Sequence, residues 1–103
     1  MQYVFPKDFI FGTSTAAAQI ETAFDHDWQG VIAKDGNVFD RTTDHEFRLS
    51  EDAEIIASLA PHYRMGLLWS TLQRAPLADF DPETLTQYKN FIADLQQRGV
   101  KIM

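Results

Sequence analysis

The chain has no cysteine, which excludes disulfides and thiolate metal sites, and nothing points to an oxidising compartment. Positive charge is scarce. Nine Lys and Arg stand against fifteen Asp and Glu, a formal net charge of -6, which argues against a nucleic-acid backbone or an anionic membrane as partner. Neutral and cationic ligands stay open. No apolar run approaches the roughly 18 residues of a membrane span, and the start, Met1-Gln2-Tyr3-Val4-Phe5-Pro6-Lys7-Asp8, lacks the basic and apolar regions of a secretory signal. A cytoplasmic protein is the default expectation. Internal repeats and low-complexity segments are also missing. What the chain does have is apolar and aromatic: 45% hydrophobic and 13% aromatic among 103 residues, enough to build one core and too much for disorder.

The stretch His62 to Leu72 reads as a central strand, since it follows Pro61, is rich in large apolar residues and lies between two helix-like segments. Period-2 alternation predicts Tyr63, Met65, Leu67 and Trp69 on one face and Arg64, Gly66 and Leu68 on the other. A strand between two helices is usually covered on both faces. A buried Arg64 would then need an anionic partner, because an unpaired buried charge costs several kcal/mol. That partner is either structural or part of a site.

Before it, residues 8 to 16 suggest a first strand whose Phe9-Ile10-Phe11 run gives way at Gly12 to small hydroxylated residues. Ala16 to Glu21 suggests a turn or two of helix. Thr22 to Leu49 holds no sustained period and reads as a long loop, a kind that is often functional in compact domains. Ser50 as N-cap, with Glu51 and Asp52 behind it, predicts a helix over 51 to 60 with Ile55, Ile56 and Leu59 inward. Asp81-Pro82-Glu83 opens a second helix with Leu85, Tyr88, Phe91, Ile92 and Leu95 on one face, closed by Gly99. Val100 to Met103 begins another strand. Alternating strands and helices imply βαβ units and a parallel sheet with right-handed crossovers. Three such strands leave an open edge, so the sequence looks cut short. A flavodoxin-like domain is disfavoured, as no Gly-rich phosphate loop follows any strand.

The run Phe5-Pro-Lys-Asp-Phe-Ile-Phe-Gly-Thr-Ser-Thr-Ala-Ala-Ala-Gln-Ile-Glu21 resembles the N-terminal signature of glycoside hydrolase family 1, the β-glucosidase and β-galactosidase group. Asp44 to Arg48 with Glu51-Asp52, Tyr63 to Ser70, and Tyr88 to Met103 resemble further family segments in the same order. The resemblance implies an α/β fold, the (β/α)8 TIM barrel, with residues 1–103 as the N-terminal part of a single barrel and its first three strands. It implies retaining hydrolysis of β-glucoside-like substrates by two glutamates about 5 Å apart, with no cofactor and no metal. The family places those glutamates in Asn-Glu-Pro and Glu-Asn-Gly motifs, and neither motif occurs in these 103 residues. No catalytic residue is therefore expected here, and no turnover from this chain alone. The expected partners are a β-glycoside or oligosaccharide and, at the open sheet edge, the remaining barrel strands or another protein chain.

Two positions carry family roles by resemblance. Gln19 matches the glutamine that hydrogen-bonds sugar hydroxyls, a role suited to a side chain with both donors and an acceptor. Arg64 matches the arginine that contacts the catalytic nucleophile and favours its ionised form. Departures are Ala18 for the usual tyrosine, Thr22 for a glycine and Thr71 for an arginine, together with a shorter stretch from Ala23 to Asp44. On the residues alone, Gln19 could be a polar helix residue and Arg64 half of a structural ion pair. Glu21 reads as a carboxylate that stabilises the helix or supports the site from behind rather than a catalyst, and Asp25-His26-Asp27 and Asp44-His45-Glu46 read as loop polarity. Trp69 reads as core against a helix. The alternative to an enzyme part is a non-catalytic, sugar-binding or self-associating barrel fragment.

Overall fold

The computed structural model describes residues 2–22, 26–38 and 42–103. Strand β1 (Gly12–Ser14) leads into helix α1 (Ala17–Ile20), and a 3-10 turn at His45–Phe47 precedes helix α2 (Leu49–Leu59). Strand β2 (His62–Arg64), helix α3 (Trp69–Leu72), helix α4 (Pro82–Gln97) and strand β3 (Lys101–Ile102) follow. The sheet is parallel in the order β1-β2-β3, with Thr13 beside Tyr63 and Tyr63 beside Ile102. β1 and β2 lie close: a Cβ on Gly12 would come within 3.1 Å of the His62 carbonyl oxygen.

Among the described residues, all the helical cover lies on one side of this sheet. Tyr63 packs there with Ala53 and Ile56 of α2, Phe91 and Leu95 of α4, and Val100, while Ile102 joins from β3. Gly12, Ser14, His62, Arg64 and Lys101 alternate onto the other face. Right-handed crossovers put both long helices on the same side, which is why the expectation of a strand covered on both faces fails.

α4 follows its sequence signals closely. The Asp81 carboxylate accepts from the Thr84 amide at 2.9 Å, Pro82 occupies the first turn, and Tyr88, Phe91 and Leu95 are buried. Gly99 takes φ +83°, the left-handed geometry that ends a helix cheaply only in glycine.

Elsewhere the elements differ from their sequence expectations. The first strand spans only Gly12–Ser14; Phe9 and Phe11 stay about half exposed and stack with Phe5, ring centroids 4.6 to 5.0 Å apart. α2 starts at Leu49 behind Arg48, so Ser50 lies inside it, and Ile55 and Leu59 remain exposed while Ala53 and Ile56 are buried. The central strand stops at Arg64. The Met65 amide still donates to the Met103 carbonyl at 3.3 Å, residues 66–68 then leave the ladder, and Trp69 opens α3, 60% exposed and edge-on to Phe80 rather than in the core. Period-2 reasoning fails there because the turn into α3 ends the pleat. In the long loop, residues 26–38 hold an isolated antiparallel bridge between Ile32 and Val38, whereas 23–25 and 39–41, including Asp25, lie outside the described residues.

Candidate functional site

At the C-terminal ends of β1 and β2 the backbone ladder runs one step further, with the Thr15 amide donating to the Arg64 carbonyl at 3.2 Å. The Thr15 hydroxyl also hydrogen-bonds the Tyr63 phenol on the helix side. This ties the start of α1 to β2 and delivers Gln19 to the rim of the strand ends. Gln19 is exposed, and its Oε1 accepts from the Ala16 amide at 3.3 Å. The side-chain carbonyl thus caps the start of α1, and the side chain stays at the surface.

Gln19 lines a cavity of about 400 Å³ with Ala18, Ala33, Asp35, Asn37, Val38 and Thr42. Asp35 is held there by Asn37, whose amide donates to Oδ1 at 3.1 Å and whose side-chain nitrogen donates to Oδ2 at 2.8 Å. Those bonds hold the carboxyl below the usual carboxylate range, so it is ionised at neutral pH.

Arg64 lies on the bare face of β2, next to Ser14, and is exposed. Among the described residues it has no ion pair, which corrects the expectation of burial: with no helix on that face, water solvates the guanidinium. It lines a different cavity, about 260 Å³, with Ile10, Gly12, Ser14, His62 and Met103. Gln19 and Arg64 therefore occupy neighbouring strand ends but do not share a cavity.

Behind the strand ends lies a buried polar cluster. The Glu21 side chain is 4% exposed, and the Tyr88 hydroxyl donates to its two oxygens at 2.9 and 3.1 Å while accepting from the Leu68 amide at 3.2 Å. Burial pushes the Glu21 carboxyl up, opposed by the Tyr88 hydrogen bond and by His45; burial also pushes Tyr88 up to about 12. His45 is buried too, its Nδ1 2.5 Å from Asp52 Oδ2. The reading of Asp44-His45-Glu46 as solvated loop polarity is thus overturned for His45, which packs edge-on against Phe91, 4.9 Å between centroids. Two other members do structural work: Glu46 accepts from the Thr22 amide at 3.1 Å and Asp44 from the Thr22 hydroxyl at 2.6 Å. A phenol within the otherwise apolar stripe of α4 was the signal that a buried acceptor faced it.

Three parallel strands with helices on one side, and polar residues gathered at the carboxyl ends of β1 and β2, define the opening segment of a (β/α)8 barrel. A family model for glycosyl hydrolase family 1 matches residues 1–103, and the chain belongs to that family. Myrosinase 1 of Brevicoryne brassicae is 33% identical over 97% of this chain and 25% of its own length. Probable inactive beta-glucosidase 14 of Oryza sativa subsp. japonica is 34% identical over 94% of this chain and 21% of its own. Among solved structures, a beta-glucosidase from Exiguobacterium marinum superposes with TM-score 0.81 at 28% identity, over 97% of this chain and 25% of that one. The chain spans about a quarter of the length of these relatives.

Proposed function

We propose that residues 1–103 supply the first three strands of a single barrel that hydrolyses β-glycosides with retention, acting on β-glucoside-like substrates. Gln19 binds hydroxyls of the sugar in the cleaved position, and Arg64 contacts and orients a nucleophilic carboxylate carried on a later strand. One observation carries this reading: a cation stands solvated at the carboxyl end of β2, on the sheet face that lacks helices. In a closed barrel that face turns inward, where a guanidinium demands a negative partner. The two catalytic glutamates belong to segments outside these residues, so the isolated chain is inactive.

The test is to produce residues 1–103 together with the remaining strands of a family 1 barrel and assay an aryl β-glycoside. Activity is expected only from the pair, with Gln19→Ala lowering kcat/KM on the order of 5- to 100-fold, as the loss of two hydrogen bonds to vicinal hydroxyls at about 0.5–1.5 kcal/mol each would. Restored activity that is indifferent to Gln19→Ala would remove Gln19 from the site. Arg64→Met should lower kcat and raise the acidic limb of the pH profile, because a carboxylate without its cation titrates higher.

A second reading, self-association without catalysis, is favoured by the outer edges of β1 and β3, which pair with no strand among the described residues. Light scattering on the isolated chain decides it: a monomer at high concentration excludes this reading.

A further inference from the structure

We propose that a later strand of the barrel presents a carboxylate to His62 and Lys101 at the base of the sheet, separate from the nucleophile that meets Arg64. The inference rests on the barrel reading given above and goes beyond it by naming the chemistry of the partner surface. Of the five ladder residues that alternate onto the bare face, Arg64 and Lys101 carry permanent charge, His62 is able to take a proton, and Gly12 and Ser14 are neutral. A chain of net charge -6 thus turns a cationic ladder face toward the barrel interior. The cavity on this face has no acid in its lining, and every segment of that lining is described. None of the ion pairs among the described residues includes Arg64 or Lys101.

Two observations single out the base. His62 and Lys101 are direct partners in the ladder, so their side chains stand next to each other, with backbones roughly 5 Å apart. The His62 Nδ1 is shut off from solvent and has no hydrogen-bond partner among the described residues. Gly12 lies against the stem of that side chain, where a Cβ would come within 3.2 Å of the His62 Cβ. A buried ring nitrogen without a partner points to a missing group, since buried polar atoms in finished structures are nearly always paired. Lys101 alone reaches water past the strand end, because its stem is long and flexible. Nδ1 has no such escape. A hydroxyl or a backbone carbonyl would satisfy Nδ1 but leave the ammonium beside it uncompensated once closure of the barrel removes water from this face. A carboxylate answers both, accepting from Nδ1–H and pairing with the ammonium.

The experiment uses residues 1–103 produced with the remaining strands of a family 1 barrel and reads, by light scattering on dilution, the concentration at which the pair assembles. Wild-type assembly should weaken as salt rises. Lys101→Met should raise the dissociation constant on the order of 30-fold or more, the usual effect of removing one partner of a buried charge pair. It should leave the urea midpoint of the isolated chain unchanged, since Lys101 is exposed there. His62→Leu should raise the dissociation constant about 10- to 100-fold, and His62→Asn, which keeps an amide donor near the place of Nδ1, should recover most of that loss. The effects of Lys101→Met and Arg64→Met should multiply when combined, as those of separate sites do. Assembly indifferent to Lys101→Met and His62→Leu overturns the proposal and leaves the barrel reading in place. A double variant no weaker than the worse single one also overturns it, because one shared carboxylate then serves both cations. Weakened assembly in a pair that hydrolyses no glycoside keeps the base carboxylate and removes the catalytic reading. A wild-type pair that never assembles overturns both.

Discussion

The Tyr88 hydroxyl reaches across 67 positions of sequence to donate to the Glu21 carboxyl at 2.9 Å, in a buried setting where neither group meets bulk water. One phenol therefore holds together the end of α1, the middle of α4 and, through the Leu68 amide, the entry to α3.

Tyr88→Phe should be costly although it deletes a single atom. It strands the Glu21 carboxyl and the Leu68 amide without their partner, and a buried polar group left unsatisfied costs about 1–3 kcal/mol. Urea unfolding of the chain measures this, and a loss below about 0.5 kcal/mol would show that water replaces the hydroxyl without penalty.

Glu21 should also make stability depend on pH. Its folded pKa lies above the ordinary value of 4.5, so between the two the native chain keeps a proton that the unfolded chain has released. The contribution is complete below about pH 4.5 and is lost as pH rises through the folded pKa. Glu21→Gln, which keeps the hydrogen bond without the titration, should flatten that decline in the urea midpoint. A variant curve parallel to the wild type would assign the dependence to another group.

The N-cap carries the opposite sign. The Thr84 amide holds the Asp81 carboxyl below its ordinary value of 3.8, so its contribution is present above that pH and is lost on acidification through the lower folded value. Asp81→Ala should therefore destabilise the chain at neutral pH and do so progressively less in acid, as thermal melts across the acidic range would show.

Leu95 is fully buried between α4 and the sheet, and Leu95→Ala should cost about 2–5 kcal/mol through lost burial and the cavity left behind. Arg64→Met should change the stability of the isolated chain by no more than about 0.5 kcal/mol, since the guanidinium already stands in water. A large loss at Arg64 would mean that the bare face is covered in solution.

Local chemistry determined a good part of this protein. Asp81, Pro82 and Gly99 bound α4 because a cap carboxylate, a fixed φ and a positive φ act within a few residues, and the parallel order of three strands follows from alternating elements and crossover handedness. The signature from Phe5 to Glu21 likewise carried the family, since it lies in consecutive residues. Tertiary structure decided which polar groups meet. The partnerships of Glu21 with Tyr88, of Thr15 with Tyr63 and of Asp35 with Gln19 in one cavity lining join residues far apart in sequence, where no period or spacing reports them. It also decided the exposure of Arg64 and Trp69, because burial depends on what packs opposite a side chain, and alternation along one strand is silent about that.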